Sequence, residues 1–180
     1  FLQSYIFDDD LTGRRIAAAL ARAAARGVVA RVMVDGFGGR NFVASLLPRL
    51  REAGVHVLIY RRELRPLSLR RHRLRRLHRK LVVIDGRVAF VGGINVLDDF
   101  DAGQLSHPRY DYAVQVEGPL LEPIVASAQR LWRLVAWASL RHRDLQPLLA
   151  PPRTEPAGDI RAAFVVRDNL RYRHSIDNAY

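Results

Sequence analysis

Cysteine is absent from the 180 residues, which excludes disulfides and thiolate metal sites and fits a reducing compartment. No apolar run approaches the ~20 residues that a membrane span requires, and no secretory leader is visible. An initiator methionine is lacking too: the chain opens on Phe1 inside a predicted strand, as a piece of a longer protein would. Lysine is almost missing. Among 29 lysines plus arginines, Lys80 is the only lysine. Arginine serves wherever a generic cation suffices, so position 80 calls for a compact, rotatable ammonium rather than a planar fork.

What is present is ordinary in bulk and uneven in charge. Apolar residues make up 49% and charged residues 26%, enough for one globular domain with a proper core. The net charge of +11 favours an anionic partner, either nucleic acid or phospholipid headgroups. Nine arginines fall between Arg61 and Arg79, opposed only by Glu63. That stretch reads either as a solvated connector or as a surface meeting anionic headgroups through Arg70, Arg71, Arg73, Arg75 and Arg76.

In chain order, Leu2 to Phe7 reads as a strand closed by Asp8, Asp9 and Asp10, which suit a turn and a helix cap. Thr12 to Arg26 is helical, with Gly27 as its stop, and Val28 to Val34 is a β-branched run typical of a strand covered on both faces. Asn41 or Ser45 caps a second helix ending at Gly54. Pro48 favours the later start, where it falls in the first turn. Val55 to Tyr60 is the third strand. Short loops between these elements imply right-handed crossovers and a largely parallel sheet. Further on, Asp111 to Glu117 is a strand, and Leu121, Ile124, Val125, Ala128, Leu131, Trp132 and Val135 repeat at the spacing of a core-packing helix. Residues 141–159 are proline-rich and read as a linker. Ile160 to Val166 is a fresh strand, after which Arg167, Asp168 and Asn169 suit the cap of another helix.

The chemistry concentrates in residues 78–95, HRKLVVIDGRVAFVGGIN. His78 and Lys80, two apart, share one face of an extended strand. Asp85-Gly86 is a hairpin signal between two apolar runs. Gly92 and Gly93 permit a tight turn or close approach to a ligand, and Asn95 supplies an amide. A nucleophile or base, a cation and an amide donor therefore meet at one end of a hairpin, an arrangement suited to a phosphate. The remaining histidines show no metal-ligand spacing, and no nucleotide-binding fingerprint appears.

His78-x-Lys80-(x)4-Asp85 followed by Gly92-Gly93-x-Asn95 resembles the signature of the phospholipase D superfamily, and the whole stretch is most similar to bacterial cardiolipin synthases. AALARAAARGVVARVMVDG and LREAGVHVLIY have counterparts in that pattern, and VVRDN resembles the opening of the second half of a duplicated enzyme. The resemblance implies an α/β fold, an α-β-α sandwich with a mixed, largely parallel sheet flanked by helices. It implies residues 1–140 as a first repeat, 141–159 as the linker and 160–180 as the start of a second repeat. It implies a phosphatidyltransferase of membrane phospholipid biosynthesis without metal or cofactor, peripheral on the cytoplasmic side of the bacterial inner membrane. Its partners would be anionic phospholipids such as phosphatidylglycerol, and a second HxKxxxxD motif from the same longer chain or from a homodimer partner.

Phosphodiester exchange without a metal needs a nucleophile, an acid for the leaving alkoxide and positive charge around the phosphoryl oxygens. His78 and a second histidine across the phosphate would share the first two tasks, through a phosphohistidine. Lys80 and Asn95 would stabilise the oxygens. Asp85 completes the catalytic motif by ordering it or its turn rather than by moving protons, and the resemblance makes Asp111 the acceptor for His78 Nδ1. The competing readings are a phospholipase D-type hydrolase, a single-motif endonuclease that pairs two chains, and a non-catalytic anion-binding module.

Overall fold

The computed structural model describes residues 1–61, 76–98, 110–145 and 150–166, apart from the side chain of His142. Six strands form one sheet: β1 (Leu2–Ser4), β2 (Arg31–Asp35), β3 (His56–Tyr60), β4 (Lys80–Ile84), β5 (Val88–Gly92) and β6 (Ala113–Val116). Their spatial order is β3-β2-β1-β4-β5-β6. The sheet is mixed, and its parallel part is the β3-β2-β1 half. From β1 outward through β4, β5 and β6 every pairing is antiparallel, and the β4–β5 pair is joined by a hairpin and not a crossover.

Helices α1 (Leu11–Ala25) and α2 (Arg40–Glu52) cover one face, and α3 (Leu121–Ala138) covers the other. Strand alternation produces this division. Val32 and Val34 pack under α1 and α2 with Phe42, Leu46 and Leu50, while Met33 between them packs with Leu58 and Trp132. Every residue of β2 is buried, as expected for a β-branched run between two layers. On α3 the apolar stripe from Leu121 to Val135 faces the sheet. It is a core-packing helix.

Local signals decide the element ends. Asp10 caps α1 by accepting from Gly13 N at 2.7 Å. The strand expected from Val28 begins only at Arg31, because Val28 N closes the end of α1 on Ala23 O and leaves Val28 and Val29 largely exposed. Helix α2 starts at Arg40, earlier than Pro48 suggested. Pro48 and Ala44 both lie on the exposed side of α2, where water can satisfy the carbonyl that the proline ring leaves without a donor. No ladder forms over Ile160 to Val166: Ile160 is exposed, and Phe164 alone packs on the core under β4 and β5. The proline-rich segment lies against the hairpin, with Arg153 N donating to Gly86 O at 2.8 Å. The stretch 62–75, the loop after Asp98 and the helix expected beyond Arg167 lie outside the described residues.

Candidate active site

The hairpin forms as its sequence dictates. Asp85 and Gly86 both hold positive φ, 51° and 66°, and Arg87 N donates to Ile84 O at 2.9 Å, giving the type I′ turn that matches strand twist. This turn fixes the register, Lys80 opposite Gly92. Lys80, Gly92, Gly93 and Asn95 are thereby gathered at the open end. Asp85 sits at the other end, five residues along β4, roughly 16 Å at the usual strand rise. Its positive φ places it in the turn itself, away from His78.

Residues 77–80 approach the sheet in extended alternation. Leu77 packs with Trp132, and Arg79 donates to Ser127 O on α3. His78 and Lys80 point to the opposite side. There Lys80 Nζ lies 3.1 Å from His78 Nε2 and 3.4 Å from Nδ1. The ring of Tyr5 closes the group, 5.2 Å from the His78 ring and 5.7 Å from Lys80 Nζ. Lys80 is only 9% exposed. Burial pushes the pKa of its ammonium down, and the Asp111 carboxylate partly opposes that shift.

Asp111 differs from expectation in its partner. Among the described residues no hydrogen bond joins it to His78, whose two ring nitrogens both face Lys80. Its carboxylate lies against Gly93 instead: a Cβ there would stand 2.7 Å from Asp111 Oδ1. A Cβ on Gly92 would stand 2.1 Å from Tyr112 O. Both glycines thus admit the chain entering β6, and through it the charge that supports Lys80. Asn95 Oδ1 accepts from Ile6 N at 3.0 Å, which leaves Nδ2 as the end able to donate to a phosphate oxygen. Arg76 turns inward, 4.5 Å over the Phe37 ring and 3.9 Å from Asp35. Arg70, Arg71, Arg73 and Arg75 lie outside the described residues.

Two residues here were missed by the sequence reading, Tyr5 and Asp35. Both stand where strands of the parallel half run out at their carboxyl ends, the edge at which open α/β sheets collect ligands. That position was the available signal. An apolar recess of about 330 Å³ opens beside Lys80, lined by Leu2, Ile16, Val82, Phe90 and Ile94. His56 belongs to a separate structural cluster, its Nδ1 2.8 Å from the buried Asp144.

Residues 1–103 match the family model described as cardiolipin synthase, PLD-like domain. The chain is 36% identical over 189 aligned positions to cardiolipin synthase B of Salmonella typhi, covering 99% of this chain and 43% of that protein. It is 43% identical over 100 positions to the major cardiolipin synthase ClsA of Bacillus subtilis, covering 55% and 20% respectively. It thus spans less than half the length of these relatives. A polyphosphate kinase from Porphyromonas gingivalis superposes with a TM-score of 0.46 at 19% identity, over 76% of this chain and 21% of that one. With its HxKxxxxD motif folded as a hairpin whose open end gathers His78, Lys80 and Asn95, the chain belongs to the cardiolipin synthase PLD-like domain family.

Proposed function

We propose that this chain is the first HxK-bearing half of a phosphatidyltransferase that makes cardiolipin from anionic phospholipids. A phosphodiester binds with its non-bridging oxygens on Lys80 Nζ and Asn95 Nδ2. One histidine, His78 or its counterpart in a second half, attacks phosphorus and forms a P–N bond as the P–O bond to the leaving alkoxide breaks. The other histidine protonates that alkoxide, then takes the proton from the incoming lipid hydroxyl, which displaces the imidazole. Lys80 suits this because a buried ammonium is worth more to a charged transition state than a hydrated one.

The observation that carries the lipid reading is the apolar recess beside Lys80. A lipid brings apolar chains beside its phosphate, which suits a recess lined by apolar side chains next to Lys80. No helix among the described residues is long and apolar enough to cross a membrane. The enzyme would sit on the cytoplasmic face of the inner membrane as a peripheral protein, held in part by Arg70, Arg71, Arg73 and Arg75. Each basic residue at an anionic surface contributes about 1 kcal/mol, so neutralising all four should greatly reduce sedimentation with anionic vesicles at low salt. Unchanged sedimentation would make that stretch a connector.

The test of function uses the purified full-length enzyme with labelled phosphatidylglycerol vesicles and, separately, a labelled DNA duplex. Cardiolipin should form and the duplex should stay intact. Cleavage of DNA with no lipid product would contradict the proposal.

A further inference from the structure

Asp35 ends β2 and is fully buried, yet none of the motif chemistry uses it. Its carboxylate ties two segments together. Oδ1 accepts from Phe37 N at 2.8 Å and Gly38 N at 3.3 Å, folding the loop after β2 back on itself. Oδ2 accepts from Leu77 N at 2.8 Å, the residue before His78. The need for that bond lies in the topology. Strand β1 stands between β2 and β4 but stops at Ser4, so beyond it residues 76–79 have no ladder to hold them on that side. The carboxylate of Asp35 reaches across in place of the missing strand.

The same residue acts on the imidazole from a second direction. The loop it folds presses on Tyr5: a Cβ on Gly38 would stand 2.3 Å from Tyr5 O. The Tyr5 ring in turn lies against His78. Asp35 therefore fixes the backbone leading into His78 through Leu77, and the ring of His78 through Tyr5. Resting on the role given to His78 above, we propose that Asp35 is a positioning residue that holds the His78 imidazole against Lys80 Nζ.

The test compares Asp35→Asn with Leu50→Ala in the full-length enzyme. Asparagine keeps the size of Asp35 but must oppose an N–H with its own NH2, either at the loop or at Leu77. Leu50, a buried residue of α2, lies in the core between that helix and the sheet and is none of the residues that hold His78, so its truncation supplies a loss of stability without removing a positioning group. Two readouts are taken at a temperature where both variants are folded: the rate at which diethyl pyrocarbonate modifies His78, located by mass spectrometry, and kcat and KM for phosphatidylglycerol. Misplacement of a reacting group by about 1 Å costs on the order of 100-fold. Asp35→Asn should lower kcat at least tenfold with KM within about twofold, and should speed His78 modification several-fold. Leu50→Ala should change neither. If Asp35→Asn does not accumulate folded, Asp35→Ser replaces it: a serine hydroxyl can still accept from the loop amides but cannot reach Leu77 N, and the same losses are expected. Either readout moving no further than in Leu50→Ala would reduce Asp35 to a folding element. The modification is measured without lipid, so it remains informative should the enzyme turn over a different diester.

Discussion

Lys80 Nζ is within hydrogen-bonding distance of a ring nitrogen of His78, although the two side chains leave a strand two residues apart. An ammonium can do this because it is small and its donors rotate. Burial of Lys80 then raises the electrostatic value of its ammonium at the expense of hydration, while His78 beside it stays exposed.

Lys80→Arg should therefore lower turnover by at least about 100-fold, because the guanidinium fork needs the volume that His78 and Tyr5 occupy. Near-normal kcat in that variant would contradict the packing. Lys80→Met makes the complementary point. Burial lowers the folded-state pKa of Lys80, so the charged side chain destabilises the fold at neutral pH, and that penalty fades as pH rises through the folded pKa. At pH 7 Lys80→Met should be inactive yet melt at the wild-type temperature or up to about 3 °C above it, with the difference shrinking in alkali. A clear loss of Tm would show that the ammonium stabilises the fold.

Asp111 should appear in the pH profile. Its carboxylate favours the charged form of Lys80, so Asp111→Asn should shift the alkaline limb of kcat/KM to lower pH. Gly93→Ala should shift it the same way by pushing the carboxylate aside. Profiles that superpose on wild type would separate Asp111 from Lys80.

The hairpin and its gathered end were legible in the sequence because they depend on neighbours: an Asp-Gly turn sets a register, and period-two alternation sets faces. Asp10 and the stripe on α3 were legible for the same reason. Pro48 misled because a helix tolerates an interior proline on its wet side, and which side is wet is decided by packing. Asp111 was read as a partner of His78, whereas its carboxylate lies against Gly93, and that depends on how closely the entry to β6 approaches Gly93, a distance no spacing reveals. Tyr5 and Asp35 were missed because their roles arise from the early end of β1 at Ser4. Residues 31 positions apart in sequence, Ser4 and Asp35, set that gap together.

The most direct test replaces His78 by alanine in the full-length enzyme and measures cardiolipin formed from phosphatidylglycerol, with thermal melting alongside. A histidine in the extended lead-in to β4 contributes little to packing, so the melt should match wild type. Product should fall below detection, because neither attack nor proton transfer has a substitute at that position. Cardiolipin formed at the wild-type rate by folded His78→Ala enzyme would contradict the account.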